Sequence, residues 1–460
     1  MKTSLRMTSD HHAQLMKHLF PGDGCEAVAL LLCGRRSGDS RSVLTVRRVA
    51  PVPYESCSVR TPDQVQWSTD ILDHLLPEIW KSSASIVKVH SHPTGFDRFS
   101  TVDDISDGQL AISFDCLFEE GRLHGSAVIL PAGRLFGRAL HHGSIDRTLE
   151  SIMVVGDDIN FWPVATVVSR RDDDRRNQQA FGAGTIEVLS ALRVAVIGCS
   201  GTGSVVIEQL ARLGVGGFVL VDPDHVEHKN LNRILNATEA DAEKQVPKVE
   251  VMQRMIRSLG RGQEVLPLQM NLDTPDAVRR VAECDVIFGC VDGAEGRNLA
   301  NRIAAYYLLP YVDVGVSLVA DGAGGIATIA GAVNYFAPGQ QSLIERGAIT
   351  QEQISAEEMR RMNPERYAEL RRQKYIQGVE VDRPAVISVN MLFGSLAVNE
   401  FLARIHRFRN VGNEEYTTVR GDLCELVLFR ESRLDSAGHL VREIGLGDQQ
   451  PLLGRASLSE

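Results

Sequence analysis

The stretch Leu192–Gly203, LRVAVIGCSGTG, decides the fold of the second half of the chain. It opens with a short apolar run that has the length and composition of a buried strand. A glycine turn follows, and the helical pattern of Ser204–Leu213 begins directly after it. Glycines at such a turn let the backbone approach a phosphate, whose negative charge the helix N-terminus favours. Gly198, Gly201 and Gly203 are therefore predicted to bind the phosphates of a nucleotide.

Strands and helices alternate after this stretch, which is typical of a parallel sheet. Further strands are predicted at Phe218–Val221, Val265–Met270 and Asp285–Gly289. The apolar run Val386–Ile405 predicts a long helix that packs across the sheet. The predicted fold class is α/β, and this half is a Rossmann-like domain with a mostly parallel sheet.

The first third of the sequence has a mixed α/β pattern instead. Ala27–Gly34 and Ala84–His90 are predicted strands, and Gln64–Trp80 is a predicted helix. A chain of 460 residues exceeds what one hydrophobic core usually serves, so we expect at least two domains. The predicted boundaries are 1–150 for the first domain, 151–172 for a linker, 173–430 for the second domain and 431–460 for a C-terminal extension.

Composition excludes several classes of protein. Hydrophobic residues make up 43% of the chain and charged residues 23%, as in globular proteins rather than disordered ones. The net charge of −10 argues against a nucleic-acid partner. There is no apolar stretch of membrane-spanning length and no secretory signal pattern. The eight cysteines include no Cys-x-x-Cys pair, which favours a reducing cytoplasm.

His90 and His92 end a predicted strand in the first domain. Because residues two apart on a strand point to the same side, their imidazoles can hold one metal ion. Asp103 follows after a loop and can supply a third ligand, and three protein ligands with an open position are typical of catalytic zinc. A general base is also needed, and Glu26 at the start of the first apolar strand is the candidate. The alternative is a pair of strand-end histidines without a metal.

These residues, with Ser100, follow the order Glu, His-x-His-Pro, Ser-x-x-Asp. That order resembles the JAB/JAMM (MPN) metallopeptidase family over about residues 10–150. The resemblance implies that His90, His92 and Asp103 bind zinc. It also implies that Glu26 relays the proton and that Ser100 helps to stabilise the oxyanion.

Asp222 ends the strand after the glycine turn, where a carboxylate can accept hydrogen bonds from ribose hydroxyls. The glycines and Asp222 alone would suit a nicotinamide-dependent dehydrogenase equally well. The residues that follow instead resemble the ThiF/MoeB/ubiquitin-activating superfamily, over roughly 173–405. Members adenylate the C-terminal glycine of a ubiquitin-like protein with MgATP, a reaction that needs cations on the phosphates and a carboxylate for magnesium. By this resemblance the ribose is held by Asp222 and Asp224, the phosphates by Asn230, Arg233 and Lys248, and magnesium by Asp292, with Arg297 in the same nucleotide site.

The segment before the glycine turn contains Arg176, four residues before Ala180. Arg176 resembles the arginine that members of this family donate across a homodimer, although Asn177 stands where glutamine is usual. The resemblance therefore implies a homodimer formed through the second domain.

Ser342 follows Pro338-Gly339 at a position where many relatives have a cysteine, and Glu345 stands at the second cysteine position. A four-cysteine zinc site and a thioester are thereby excluded at this place. Two interpretations remain open. In the first, Ser342 forms an oxyester with the modifier, and the chain then resembles the activating enzymes of bacterial ubiquitination-like operons. In the second, the adenylate passes directly to a partner. A serine needs a base to become a good nucleophile, and no histidine lies nearby in sequence.

The two resemblances together imply a cytoplasmic enzyme that activates a ubiquitin-like modifier and carries a zinc isopeptidase that trims or removes that modifier. The expected cofactors are Zn²⁺, ATP and Mg²⁺, and the expected partners are the modifier, a conjugating enzyme and a second copy of the chain. Resemblance to bacterial ubiquitination-like operons implies a role in antiviral defence. The alternatives are a sulfur-carrier adenylyltransferase with a carrier-trimming JAB peptidase, and a non-catalytic scaffold that binds a ubiquitin-like protein.

Overall fold

The computed structural model describes residues 2–119, 121–164, 175–321, 323, 325–372, 386–433 and 438–459. The chain divides into two compact units, each with its own sheet. Within the described residues, no helix has both the length and the apolarity that a bilayer crossing requires. The first unit comprises Met1–Val167, Tyr306–Leu308 and Glu443–Gln450, and the second comprises Val168–Ala305, Leu309–Arg442 and Pro451–Glu460.

The first unit contains one large mixed sheet with helices on both faces. Its described strands run in the order β11-β10-β1-β3-β2-β6-β7-β8-β9, and β4 pairs separately with β5. In chain order the elements are β1 (Lys2–Thr8), α1 (Ser9–Leu19), β2 (Val28–Ser37), β3 (Arg41–Pro51), β4 (Cys57–Arg60), β5 (Val65–Trp67), α2 (Asp70–Ser82), β6 (Ser85–Ser91), α3 (Thr101–Leu117), β7 (His124–Ile129), β8 (Leu135–His141), β9 (Ser144–Thr148), β10 (Ser151–Val155) and β11 (Ile159–Pro163).

Strand β2 lies at the centre of this unit, which explains its unbroken apolar sequence. Leu30 packs in the core that α2 and α3 cover, whereas Leu31 packs in the core that α1 covers. A strand buried on both faces has no polar side to alternate with. The His-x-His motif lies at the end of β6, the antiparallel neighbour of β2.

Two sequence expectations for this unit need correction. The helix predicted at Gln64–Trp80 is shorter at its start, because Val65–Trp67 forms a strand before α2 begins. The segment expected to be a linker from residue 151 opens with β10 and β11, and β10 pairs in parallel with β1. Both are five-residue strands, and such short apolar runs are hard to distinguish beside a charged segment. Residues 165–172 of that predicted linker lie outside the described residues.

The second unit has the α/β architecture that the sequence predicts. Among its described strands the order is β14-β13-β12-β15-β16-β17-β18-β19. In chain order the elements are α4 (Arg175–Phe181), α5 (Ala183–Ala191), β12 (Arg193–Ile197), α6 (Gly201–Leu213), β13 (Gly217–Val221), α7 (Glu239–Glu243), α8 (Lys248–Ser258), β14 (Glu264–Leu268), α9 (Pro275–Ala282), β15 (Val286–Gly289), α10 (Ala294–Tyr307), β16 (Tyr311–Ala320), β17 (Ile326–Phe336), α11 (Gln351–Met362), α12 (Pro364–Arg372), α13 (Ile387–His406), β18 (Thr418–Asp422) and β19 (Val427–Glu431).

The direction of the strands in this sheet locates the nucleotide site. Strands β14, β13, β12, β15 and β16 are parallel, and β17, β18 and β19 continue the sheet in antiparallel fashion. The chain order reverses between β12 and β15, and such a switch point opens a crevice at the carboxyl ends of the strands. Helix α13 packs against α6, β16 and β17, as expected for the long apolar helix.

Candidate functional site

The first candidate site lies where β6 ends and α3 begins. Nε2 of His90 is 3.1 Å from Nε2 of His92 and 2.9 Å from Oδ1 of Asp103. Nε2 of His92 is 3.6 Å from Oδ2 of Asp103. All three residues are buried, and within the described residues they are the group whose donor atoms converge as a metal site requires.

The spacing of these donor atoms fits a zinc ion. Zinc bonds of 2.0–2.1 Å in a tetrahedral arrangement separate neighbouring ligand atoms by about 3.3 Å, close to the distances found here. Nδ1 of His92 donates a hydrogen bond of 2.7 Å to the carbonyl oxygen of Phe96. This bond fixes the proton on Nδ1 and leaves the Nε2 lone pair free for a metal, as is usual for histidine ligands.

The sequence S-T-V-D positions Asp103 by a local mechanism. Ser100 is the N-cap of α3, and its hydroxyl accepts a hydrogen bond from the Asp103 amide. Asp103 in turn accepts hydrogen bonds of 2.7 Å from the amide and the hydroxyl of Ser100. This capping box holds the carboxylate at the helix start, facing the two histidines.

Glu26 reaches the site through strand register. Val28 pairs with His90 across the β2–β6 ladder, and Ser91 bonds to Ala27, which sets Glu26 beside His92. Oε1 of Glu26 is 3.9 Å from Nε2 of His92. Burial raises the pKa of Glu26 to about 7, an effect that His92 opposes. A carboxyl group with such a pKa can both accept and release a proton near neutrality.

The other charges of this site are strongly coupled. Burial lowers the pKa of His90, although the hydrogen bond with Asp103 opposes that shift. Burial also acts to lower the pKa of His92, but the bonds to Asp103 and to the Phe96 carbonyl raise it overall. Burial would raise the pKa of Asp103, yet the two histidines hold that pKa far below its usual range. The site therefore favours an ionised carboxylate between the imidazoles.

The second candidate site is the turn between β12 and α6. Gly198 has a φ of +89°, a conformation that side chains disfavour. A Cβ atom at Gly203 would lie 1.8 Å from the carbonyl oxygen of Gly198, and one at Gly201 would lie 2.2 Å from Nδ2 of Asn390. Ser200 at the N-cap makes no side-chain capping bond, so the first amides of α6 remain available to an anion.

Asp222 lies beside this turn and is 5% exposed. Its carboxylate accepts hydrogen bonds from the amides of Cys199, at 2.7 Å, and Asp224, at 2.9 Å. Burial raises the pKa of Asp222, although Lys248 opposes this shift. Each carboxylate oxygen keeps a second lone pair, so the geometry suits recognition of ribose hydroxyls.

Lys248 is the buried cation next to this carboxylate. Its Nζ is 2.7 Å from Oδ2 of Asp224 and 3.9 Å from Oδ1 of Asp222. Asp224 is largely exposed, so its bond to Lys248 can exchange for a bond to a phosphate.

Asn230 and Arg233 lie in the loop after β13, and both side chains are engaged locally. The amide oxygen of Asn230 accepts a hydrogen bond from the backbone of Glu227. The guanidinium of Arg233 donates to the carbonyl of Lys229 and to the side chain of Asn232. Arg233 would have to exchange these bonds to contact a phosphate.

Asp292 and Arg297 lie after β15, at the wall of a cavity of about 580 Å³. Arg297 is bound to Asp313 of β16 by two hydrogen bonds, one of 2.8 Å, and it donates a further bond to the carbonyl of Ala348. Asp313 is fully buried and also accepts bonds from Tyr311 and Asn334. The guanidinium of Arg297 therefore braces β16 and the segment at residue 348. The sequence marks Asp313 only as a polar residue inside an apolar strand.

Two further predicted residues lie apart from these clusters. Arg176 is on the exposed face of α4 and forms no ion pair within the described part of the chain. Ser342 is 1% exposed, and its Oγ lies 3.3 Å from Nδ1 of His439. Glu345 accepts hydrogen bonds from the amides of Ser342 and His439. Ser342 and Glu345 were predicted from the family resemblance, whereas the sequence gives no signal for His439, which lies 97 positions from Ser342.

The switch point, the glycine turn and the carboxylate beyond β13 define a nucleotide-binding domain of the Rossmann class. The chain belongs to the ThiF family, whose model matches residues 174–432, more than half of the chain. Residues 8–178 match the family model of prokaryotic homologs of the JAB domain.

Individual relatives match shorter segments. The chain is 30% identical over 124 residues to a sulfur carrier protein ThiS adenylyltransferase of Bacillus subtilis, covering 27% of this chain and 37% of that protein. It is 33% identical over 124 residues to a SAMP-activating enzyme E1 of Haloferax volcanii, covering 27% and 45%. The chain thus spans less than half the length of these curated relatives. Among solved structures it is similar to E. coli MccB with succinimide, at 19% identity and a TM-score of 0.43, covering 57% of this chain and 72% of that one.

Proposed function

We propose that the second unit adenylates the C-terminal glycine of a ubiquitin-like protein with MgATP. The observation that carries this proposal is the convergence of the glycine turn, Asp222 and Lys248 at the switch point. Membership of the ThiF family supports it, because one relative is named a sulfur carrier protein ThiS adenylyltransferase and another a SAMP-activating enzyme E1. A dehydrogenase would need the glycines and Asp222 but has no use for Lys248.

Each side chain has a task in such a reaction. Asp222 holds the ribose hydroxyls, while Lys248 releases Asp224 and binds phosphate oxygens. Asp292 would hold the magnesium ion that accompanies ATP, and that ion would supply positive charge beside the pyrophosphate leaving group. The cavity beside Asp292 accommodates the glycine tail, which must reach the α-phosphate in an extended form.

Pyrophosphate exchange tests this proposal. We expect the protein to return labelled pyrophosphate to ATP only in the presence of a glycine-tailed ubiquitin-like protein from the same genome. The same protein without its terminal glycine is the control and supports no exchange. Binding of NAD in place of ATP, with no exchange for any such protein, would overturn the proposal.

For the first unit we propose zinc-dependent hydrolysis of the bond that follows the modifier's terminal glycine. His90, His92 and Asp103 would hold a zinc ion, which would supply Lewis acidity for the hydrolysis. Glu26 takes up the proton and delivers it to the leaving amine, a role that its raised pKa supports. Ser100 already bonds to Asp103, so it orients that ligand as well as facing the reacting carbonyl.

A second proposal concerns transfer of the activated modifier to Ser342. With its proton on Nε2, His439 can accept the Ser342 proton at Nδ1 while the serine oxygen attacks the acyl adenylate and AMP leaves; Glu345, 3.2 Å from the same nitrogen, favours the imidazolium that results. Because Ser342 is buried, the segment must open before an oxyester can form. The rival is direct transfer from the adenylate to a conjugating enzyme.

The similarity to a ThiS adenylyltransferase supports an alternative substrate for the second unit, a sulfur-carrier protein. The products distinguish the two pathways. A modifier pathway yields a modifier joined to an amine, whereas a sulfur-carrier pathway yields a thiocarboxylate that is 16 Da heavier than the free tail. Intact-protein mass spectrometry of the reaction products separates them.

A further inference from the structure

We propose that Lys88, Asp107 and Arg138 form a buried brace that positions the metal-binding residues of the first unit. The inference rests on the proposed metal site. It extends that site by three residues that neither the motif nor its spacing reveals. In the sequence alone, Lys88 and Arg138 are indistinguishable from other polar strand residues, and Asp107 is indistinguishable from a residue on the surface of a helix.

The contact between Lys88 and Asp107 has the same strand-to-helix geometry as the contact between His90 and Asp103, displaced along β6 and α3. Lys88 precedes His90 by two residues on β6, so both side chains point to the same side of the strand. Asp107 follows Asp103 by four residues on α3, so both carboxylates lie on the same face of the helix. Nζ of Lys88 is hydrogen-bonded to Oδ1 of Asp107, just as His90 contacts Asp103. Strand and helix are therefore joined by two successive contacts.

Arg138 of β8 closes the brace from the other side. Its Nε donates a hydrogen bond of 2.8 Å to Oδ2 of Asp107, and NH1 donates one of 2.5 Å to Asp104. The guanidinium carbon lies 3.8 Å from the ring centroid of Phe99, the residue before the Ser100 cap. The brace thus fixes the start of α3 against two strands and against the loop that carries Ser100.

Burial makes this contact specific. Asp107 is fully buried and Lys88 is 4% exposed, so Lys88 without Asp107, or Asp107 without its two cations, would be strongly destabilising. Burial acts to raise the pKa of Asp107, but Lys88 and Arg138 lower it overall. An apolar contact would stabilise the fold as well, but it would not fix the direction of α3. Residues that orient metal ligands typically change metal affinity about 10- to 100-fold when they are replaced.

Lys88 also lies in the wall of the metal site. It lines a small cavity of about 30 Å³ together with Glu26, His90 and Asp103. A cavity of this size holds about one water molecule. Loss of the Lys88–Asp107 contact would therefore affect the space beside the metal as well as the direction of α3.

The test is zinc affinity of the full chain, measured by competition with a chromophoric chelator, alongside melting temperature. We expect Lys88→Met and Asp107→Asn each to weaken zinc binding about 10- to 100-fold and to lower the melting temperature. In the double variant neither Lys88 nor Asp107 leaves the other unpaired and Arg138 keeps its ion pair with Asp104, so the melting temperature recovers in part. Zinc affinity remains weak, because the contact that orients α3 is still missing. A purely structural role predicts that affinity recovers with stability.

Two controls separate the possible failures. Arg41→Met removes another buried arginine of the same sheet, bonded to Ser4 and Ser151, and is expected to lower stability without changing zinc affinity. His92→Ala removes a proposed ligand, so any zinc that this variant still binds lies outside the proposed site. Equal zinc affinity in wild type and His92→Ala would overturn the metal site and the brace together. Zinc binding that depends on His92 but is unchanged in both brace variants would overturn the brace alone.

Discussion

Oγ of Ser342 lies 3.3 Å from Nδ1 of His439, although 97 positions separate the two residues in the chain. Glu345 contacts both of them and joins the segment after β17 to the segment after residue 437. Ser342, Glu345 and His439 form a hydrogen-bonded cluster within the second unit. The cluster therefore connects two distant segments of the chain and also places a histidine, a possible base, beside the Ser342 hydroxyl.

The first prediction concerns this serine. With ATP and a modifier, the wild-type protein is expected to form a covalent adduct that survives dithiothreitol, because an oxyester resists thiols. Ser342→Ala should lose the adduct and keep pyrophosphate exchange, since adenylation uses other residues. His439→Ala should slow adduct formation by removing the base. Gel analysis with and without reductant decides it, and a thiol-sensitive adduct on Cys424 would contradict the prediction.

The second prediction concerns zinc content. Elemental analysis of the purified protein should find about one zinc ion per chain, and His92→Ala should lose it. Glu26→Ala should keep the metal but lose hydrolysis, because Glu26 serves as base rather than ligand. Equal zinc in wild type and His92→Ala would show that the three-residue site is not a metal site.

The third prediction concerns the stability of the first unit in acid. His124 is buried, and burial together with Arg122 and Arg35 lowers its pKa to about 3, against 6.5 for the free side chain. Its Nδ1 accepts a hydrogen bond from the amide of Ile86, which also requires the neutral ring. The unfolded chain takes up the proton first. The stabilisation is therefore complete above pH 6.5 and is lost towards pH 3, at about 1.4 kcal/mol per pH unit.

Denaturant unfolding at pH 7 and at pH 5 measures this loss. His124→Leu should unfold more easily at pH 7, because the Ile86 amide loses its acceptor, but should show a smaller difference between the two pH values. His142→Leu, at a turn of the same unit, is the matched control and should leave the pH dependence unchanged. An equal pH dependence in wild type and His124→Leu would refute the assignment.

The fourth prediction concerns the contact between Arg297 and Asp313. Because Asp313 is fully buried, Asp313→Ala leaves Arg297 uncompensated and should cost about 3–5 kcal/mol of unfolding free energy in the second unit. The exposed pair of Arg366 and Glu369 is the comparison, and Arg366→Ala should cost less than about 1 kcal/mol. Similar losses for both variants, measured by denaturant unfolding, would argue against the proposed bracing role of Arg297.

The extent to which the sequence predicts this molecule depends on the range of each interaction. The predicted α/β fold class is confirmed. It could be predicted because the strand after Leu192, its glycine turn and the following helix form one local unit with a characteristic pattern. His90, His92 and Asp103 could be predicted because strand alternation and a helix cap act over a few residues. Their roles stay predictions.

Contacts between distant segments could not be predicted in the same way. Asp107 and His439 acquire their surroundings only when separate strands and helices pack together. Neither residue belongs to a periodic pattern that marks its partner. Strands β10 and β11 could not be predicted for a related reason: β10 pairs with β1, far away in the sequence, and β11 joins the sheet only through β10.

The most direct test of the adenylation proposal is pyrophosphate–ATP exchange by Asp292→Ala, with a ubiquitin-like protein that supports exchange by the wild type. Removing the carboxylate proposed to hold magnesium should reduce exchange by at least about 100-fold. Asp276→Ala removes an exposed carboxylate of α9 and should leave exchange unchanged. Exchange that persists undiminished in Asp292→Ala would contradict the account.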